Sequence, residues 1–587
     1  MKLVIVESPT KSTTIQRYLG EDYIVFASCG HVRDLATSGK GGLGVDVDND
    51  FAPTYIVPKS KESIVKELKA KKKLCDEVIL ATDPDREGEA IAWHLAEVLK
   101  LDIEKTKRLE FHEITRESIT NAIENPRTID TNLVSSQEAR RIIDRIIGFK
   151  LSTLIAKKIN SKSAGRVQSS ALKLVYELDK KIAEFVPEEY WNIIAEAKLG
   201  DKNIKLSFIG KDGKNQDIHN KEECDAILNS LEKTLKVISV KKTYRTKEPK
   251  APFITSTLQQ EAFARLKFKT KKTTSLAQKL YEGIDVGGEH MGLITYIRTE
   301  DTRLSSTFVN RAVNFISSSI GEEYLDQAKV KKALKESGNS ALPHEAIRPA
   351  SNHRTPESVK QYLTPDMFDL YKMIYNRALA ALMKPRKDEV LSVILQSGEY
   401  QFKMEFTRTI FQGYETIYKD IDDEEKIYKS LPDIKEGETL EFTSLTGEQK
   451  FTQPPSHFSE AKLVRKMEEE GIGRPSTYAS TIEIIAKRGY VNDTGGILDT
   501  TPQGVKTVKV LDKFFPEIID VKYTANMEAK LDKVESGKIS RSEVLNEFYD
   551  DFIKVFTSAQ ELMYKDEPVT TGEICPECGK PLVYKEG

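Results

Sequence analysis

Two stretches of this chain share one plan. Residues 3–7 read LVIVE and lead through Pro9 into a helical pattern; residues 78–93 read VILATDPDREGEAIAW and do the same. Each is a short apolar run, a turn, and a helix with one apolar face: Ile15, Tyr18 and Leu19 in the first, Ile91, Leu95, Val98 and Leu99 in the second. Repeated strand–turn–helix units predict a parallel sheet covered by helices. In such sheets, functional groups gather beyond the carboxyl ends of the strands. Glu7 falls there after the first strand, and Asp83, Asp85 and Glu87 follow the later one at two-residue steps. Glu89 belongs to the first helical turn, and Arg86 is the one internal counter-charge. Like charges this close repel, and burial raises the cost. A hard divalent cation with oxygen ligands relieves that repulsion, and Mg²⁺ suits a small carboxylate cluster that leaves room for water and phosphate. The competing reading is a solvated turn whose acids the helix dipole favours. DxDxE alone is a weak signal; it gains weight from ESPTK on a second strand.

At 587 residues the chain is too long for one core. No apolar run approaches the ~20 residues of a membrane-spanning helix. Glu7 ends the first apolar run, so no signal peptide is read and a cytoplasmic protein is expected. The net charge of -2 argues against a uniformly basic nucleic-acid binder, but the charge is segregated. Residues 140–173 hold nine Lys/Arg against one acid, Asp144, and residues 241–272 hold ten against Glu248 and Glu261. Acids collect at 420–425. One face of a neutral protein can thus hold a polyanion; the alternative is ordinary solvated helix faces. TSGKGGLGVDVDND (37–50) reads as a loop, since no GK[ST] element follows. Five cysteines make no disulfide framework, and Cys575 and Cys578 form one CxxC. Helical, basic patterning covers 132–185, β-like alternation 190–245, helices 255–385, β-like runs again 390–447, and helices to about 565. One domain is therefore expected to be inserted in another.

Six motifs, in order, carry a resemblance that covers nearly the whole chain: VESPTK, TDPDREGEAIAWH, SAGRVQS (163–169), GLITYIRTED (292–301), HEAIRPA (344–350) and GIGRPSTYA (471–479). Together they resemble the type IA DNA topoisomerases, in particular the bacterial, TOPRIM-containing branch. The resemblance implies a multidomain α/β plus α plus β fold forming a toroidal core: a TOPRIM domain at 1–131, a discontinuous helical DNA-binding domain at 132–190 and 452–565, a β-rich arch at 191–250 and 385–451 with the hinge of the gate, a helical domain with the nucleophile at 251–384, and the start of a truncated zinc ribbon at 566–587. It implies an ATP-independent isomerase that relaxes negatively supercoiled DNA by cutting one strand, passing another and resealing.

The resemblance also distributes roles. Among 22 tyrosines it selects Tyr296 as nucleophile, joined transiently to a 5′-phosphate. Arg298 lies two residues on, on the same side of an extended segment, where a guanidinium suits phenolate and phosphate charge. Glu7 is the implied acid/base at the 3′-oxygen, with metal ligation as its alternative. Lys11 and Arg298 neutralise the reacting phosphate, and His344 supports tyrosine and phosphate. Asp83, Asp85 and Glu87 are the implied Mg²⁺ ligands, in a one-metal site with Asp83 and Asp85 direct and Glu87 through water. The implied single-strand groove holds Arg108, Arg140, Arg141, Asp144, Arg145, Ser163, Arg166 and Gln168, faced by Arg474, Ser476 and Thr477. Implied partners are single-stranded and supercoiled DNA and, through a region beyond this chain, RNA polymerase; a nucleoid-associated monomer is expected. Cys575 and Cys578 are half of a four-cysteine ribbon, which without its second half holds no stable zinc. Glu300-Asp301 departs from the usual Asp-Ser after the arginine-threonine pair. A decatenating relative is the nearest alternative. A TOPRIM nuclease or primase would lack the Tyr296 motif, and a plain single-strand-binding protein would not need clustered acids.

Overall fold

The computed structural model describes all residues except 40–41, 338–343, 420–425, 566–569, 577 and 584–587. The acidic run at 420–425 and parts of the glycine-rich loop and of the 566–587 ribbon thus lie outside the described residues. The N-terminal sheet is built from β1 (Lys2–Val6), which feeds α1 (Pro9–Leu19), then β2 (Tyr23–Ala27), β3 (Glu77–Leu80), which feeds α2 (Arg86–Leu99), and β4 (Lys107–Arg108). Strand order is β2-β1-β3-β4, all parallel, with Val4 opposite Val25 and Ile79. β1 is apolar and buried from Leu3 to Val6 because both its faces are covered. Leu3 and Ile5 pack with Leu80, Ile91 and Leu95. Val4 and Val6 point the other way, into the core that holds Leu280, Leu293 and Tyr296.

Two long helices follow, α3 (Thr131–Ile159) and α4 (Arg166–Ala183). Asp130 caps α3 by accepting from the Asn132 and Leu133 N–H groups, and Asn160 ends it in the left-handed region. The chain then builds β5 (Glu189–Leu199), β6 (Lys202–Lys211) and β7 (Thr234–Lys247). A helix over Lys221–Ser230 interrupts what the sequence presents as β-like. After β7 come α5 (Thr255–Leu266), α6 (Thr270–Glu282) and α7 (Pro365–Ala380), and only then β8 (Arg386–Ser397), β9 (Tyr400–Phe411) and β10 (Thr439–Phe451). The six strands β5–β10 close an antiparallel barrel in the order β6-β9-β8-β7-β10-β5. Its interior is filled by Val237, Leu391, Val393, Leu395, Phe402 and Phe406. The helices between β7 and β8 are therefore inserted between barrel strands.

The two ends of the barrel are attached differently. Beyond β9 the chain turns back at Gly413, with φ +54°, where a Cβ would run into the Lys384 and Pro385 carbonyls. That turn delivers Tyr414 and Tyr418 into the core of the inserted helices, and Tyr414 N–H donates to Lys384 O at 2.9 Å. At the other end, residues 186–189 and 453–456 are exposed and are tied by two bonds, Thr452 N–H to Glu188 O and Glu188 N–H to Thr452 Oγ1.

The chain ends in α8 (Glu460–Glu469), α9 (Val521–Glu535) and α10 (Arg541–Leu562); α9 and α10 share a core with α3. Among the described residues no helix is long and apolar enough to cross a membrane.

Candidate active site

Ser8 caps α1 and Asp85 caps α2, so both strand mouths turn at once into helices. In the second turn Gly88 lies against Asp83, whose carbonyl leaves no room for a Cβ. The turn therefore folds over itself and brings Asp83 beside Glu7, whose Oε1 accepts the Asp83 N–H at 2.5 Å. Lys11, 1 % exposed, ion-pairs with the Asp83 carboxylate and lies 4.0 Å from Glu7. Burial and the neighbouring Asp83 push the Glu7 carboxyl up to about 8, against the opposing pull of Lys11.

Tyr296 reaches this mouth from a non-helical segment whose backbone pairs with both neighbours: Tyr296 N–H donates to His112 O at 2.7 Å, and Thr295 N–H to Arg348 O at 2.9 Å. Its phenol donates to Asp85 Oδ2 at 2.6 Å, and Arg298 Nη1 sits 3.1 Å from the same oxygen. Burial works against ionisation of Asp85, but Arg298, the phenol and the Gly88 N–H outweigh it and hold the carboxyl down to about 2. The phenol itself is pushed well up, by burial first and then by Asp85 and Asp83. The Tyr296 ring lies 5.3 Å from that of Tyr281 and 5.8 Å from that of His344. His344 is kept neutral by burial and by His112, whose ring is 5.8 Å away.

The structure thus brings Tyr296, Glu7, Lys11, Arg298, His344, Asp83 and Asp85 to one place. It corrects the picture of bare, mutually repelling acids. Asp83 is paired with Lys11, Asp85 with Arg298, and Glu87 with His31 at 3.1 Å and Gln137 at 3.2 Å. Among the described residues no three His, Cys, Asp or Glu side chains converge as metal ligands. Arg86 is no counter-charge to the cluster; it turns away to Asp532 and Glu535. The donor set still fits Mg²⁺. It is all hard carboxylate oxygen, and it is crowded enough that Glu7 holds its proton to about 8.

Arg108 is a second correction. It is fully buried, pairs with Glu89 at 3.1 Å, and donates to the carbonyls of Thr82 at 2.8 Å and Asp83 at 2.7 Å. It supports the Asp83 turn from beneath, and each of its guanidinium nitrogens is already taken by a protein acceptor, which leaves none for a phosphate. Glu89, also fully buried, accepts from Arg127 at 2.7 and 2.8 Å and from the Asp130 N–H at 2.7 Å. It joins the turn to the start of α3.

Of the remaining groove residues, Arg140, Arg141, Asp144, Arg166, Gln168 and Thr477 line a cleft of about 610 Å³ that also reaches Glu87 and His31. Arg141 makes a fork on Asp34 at 2.7 and 2.9 Å. Arg145 faces the Leu35 carbonyl, its guanidinium 4.7 Å over the Phe149 ring. Ser163 N–H donates to Tyr490 Oη, Arg474 pairs with Asp532 at 2.5 Å, and Ser476 is exposed. Cys575 and Cys578 lie in the connection between the strands Thr570–Ile574 and Pro581–Val583, where Gly579 N–H donates to Cys575 O. Tyr281, His31 and His112 were not read from the sequence.

The chain matches the Toprim domain family over residues 2–114 and the DNA topoisomerase family over residues 128–546. It is similar to the structure of full-length topoisomerase I from Thermotoga maritima, at 38% sequence identity over 99% of this chain and 97% of that one, with a TM-score of 0.85. A Toprim sheet facing a buried tyrosine, within a fold shared end to end with such an enzyme, leaves one assignment: the chain belongs to the DNA topoisomerase family, in its Toprim-containing type IA branch.

Proposed function

We propose that Tyr296 is the nucleophile of this topoisomerase and that Glu7, Lys11, Arg298 and His344 work on the same phosphodiester. The observation that carries the reading is the Tyr296 phenol held 2.6 Å from Asp85 at the mouth of the Toprim sheet, with Arg298 on the same carboxylate. In cleavage the phenol oxygen attacks phosphorus and gives its proton to Asp85, the carboxylate it already donates to; the bond to the 3′-oxygen breaks, and that oxygen leaves with a proton from Glu7. A carboxyl pushed up to about 8 carries that proton at neutral pH. Lys11 and Arg298 offset the charge on the phosphate. His344, neutral and against the Tyr296 ring, orients the phenol. Rejoining reverses these steps with Glu7 as base, and the phosphotyrosine bond conserves the energy, so ATP is not needed.

Asp83 and Asp85 are the groups that would hold Mg²⁺ directly, with Glu87 through water. The ion would supply positive charge that keeps the cut ends placed for rejoining. The cleft beside Glu87 would lead a single strand past Arg140, Arg141, Asp144, Arg166 and Gln168, with Arg474, Ser476 and Thr477 opposite and Ser163 and Arg145 nearby. Contacts of this kind follow phosphates without reading bases. The proposed division of labour is the TOPRIM part at 1–131, the groove at 132–190 and 452–565, the arch at 191–250 and 385–451, and the nucleophile domain at 251–384. One chain carries every group invoked, which supports a monomer, acting on chromosomal DNA in the cytoplasm.

The test is covalent trapping. The protein is incubated with 3′-end-labelled single-stranded DNA and denatured. Wild type is expected to retain label, as is Tyr281→Phe, and Tyr296→Phe is expected to retain none. Label retained by Tyr296→Phe overturns the assignment.

A further inference from the structure

The groove arginines are held from behind. Glu528, fully buried on α9, ion-pairs with Arg140 of α3 and, at 2.7 Å, with Arg166 of α4. One turn further along the same helix, Asp532 lies 3.0 Å from Arg86 of α2 and 2.5 Å from Arg474 of the 471–477 turn. Residues four apart share one face of a helix. Two acids on one face of α9 thus grip four guanidiniums that arrive from four separate elements.

We infer that α9 is a template for the phosphate-binding groove: Glu528 and Asp532 are positioning residues that fix Arg140, Arg166, Arg86 and Arg474 to receive consecutive phosphodiesters of a single DNA strand. This rests on the groove reading given above.

The alternative is a purely structural ion cluster. Against it stand the donors left over. Arg140 Nε, Arg166 Nε and Nη2 and Arg86 Nη1 are buried and lack a hydrogen-bond acceptor among the described residues. Among the described residues Arg166 has only Asp144, at 3.7 Å, as a further ion-pair partner, and Arg86 only Glu535, at 3.1 Å. Buried donors are seldom left unmatched, and Arg140 and Arg166 line the cleft. Phosphate oxygens are the acceptors a guanidinium fork fits best.

The acids contribute negative charge under a surface that binds a polyanion, so the sign of the effect separates the two roles. If they merely dilute the positive field, removing one tightens DNA binding and steepens its salt dependence. If they hold the guanidiniums in place, removing one weakens binding and flattens the salt dependence.

The experiment titrates a fluorescent oligothymidylate into Tyr296→Phe protein over a range of salt. Asp532→Asn and Glu528→Gln are compared with Glu528→Asp, which keeps the charge, and with Arg474→Ala. We expect Asp532→Asn to weaken binding about five- to ten-fold and to reduce the salt slope by about 1, as for one lost phosphate contact. Glu528→Gln goes the same way and Glu528→Asp recovers part of the loss. Asp532 is 42% exposed, so its substitution reads the effect even where Glu528→Gln fails to fold. Single-turnover cleavage at saturating DNA, measured with Tyr296 intact, stays within about two-fold of wild type, since placement of phosphates and not chemistry is lost. Unchanged or tighter binding by Asp532→Asn, while Arg474→Ala weakens it, overturns the template and leaves the groove standing. Unchanged binding by Arg474→Ala overturns the groove reading and the template with it.

Discussion

Replacing Arg108 by alanine separates a supporting arginine from a DNA contact. The substitution leaves Glu89 buried with Arg127 and the Asp130 N–H as its remaining partners, and strips a donor from the carbonyls of Thr82, Asp83 and Leu109. Breaking one side of a buried ion pair costs about 3–5 kcal/mol, and Arg127 keeps that part near the low end. Each orphaned carbonyl adds about 1–3 kcal/mol before water relieves it. With every part at its low end a total of about 6 kcal/mol follows, which at a urea dependence of about 2 kcal/mol per molar lowers the unfolding midpoint by about 3 M. The chain has two tryptophans, and Trp93 lies on α2 with the Arg33 guanidinium 4.8 Å over its ring. In a Trp191→Phe background its fluorescence follows the N-terminal sheet alone. Single-strand affinity of the folded variant should keep the wild-type salt slope. A DNA contact would show the reverse: an unshifted midpoint, weaker binding, and a slope reduced by about 1. That outcome would refute the burial argument. Arg108→Lys keeps the charge without the fork and should fall between the two.

Two further expectations stand beside this one. Asp83→Ala combined with Asp85→Asn, which keeps the cap on α2, should slow Mg²⁺-dependent rejoining by about 100-fold while cleavage falls far less; unchanged Mg²⁺-dependent relaxation of supercoiled plasmid would sink the metal assignment. Burial disfavours charge on Glu528, but Arg166, Arg140 and Arg474 outweigh it and hold the carboxyl down to about 2 from an ordinary 4.5. Its folded value is depressed, so its contribution, on the order of 3 kcal/mol, is complete above about pH 4.5 and is lost as pH falls toward 2. Acid unfolding followed by circular dichroism should show that loss, and Glu528→Gln should flatten it.

How far the sequence speaks depends on how near the partners are. The strand mouths were legible because Glu7, Asp83 and Asp85 each follow an apolar run that could only be a buried strand. The fold class and the enzyme family were legible because six motifs recur in order across the chain. Tyr296 was not legible from physics alone, since an aromatic in a half-buried segment is commonplace; the motif singled it out. Arg108 shows the opposite failure. A motif match marks a residue as important without saying whether it faces DNA or the core, and only the fold reveals that Glu89, 19 positions away, is its partner. Glu528 and Asp532 were invisible because MEAKLDKVE reads as any amphipathic helix, while Arg140 lies 388 positions from Glu528. The carboxylate puzzle was half answered: repulsion was foreseen, but not that Lys11, Arg298 and His31 would each claim one acid.

The return of Tyr414 and Tyr418 into the core of the inserted helices has a mechanical consequence. It bolts the barrel to the body that carries Tyr296, and the barrel itself is braced by a closed ring of ladders. Compliance is left to the exposed neck at 186–189 and 453–456. A strand the length of β10, with 13 residues, spans about 40 Å. Were barrel and Tyr296 segment to swing as one lever about that neck, a tilt of about 30° at the pivot would carry the far end about 20 Å over that length. The cost of parting Tyr296 from Asp85 then lies in the seam beside the chemistry, where Val4 and Val6 share a core with Leu280 and Leu293, and not in the arm.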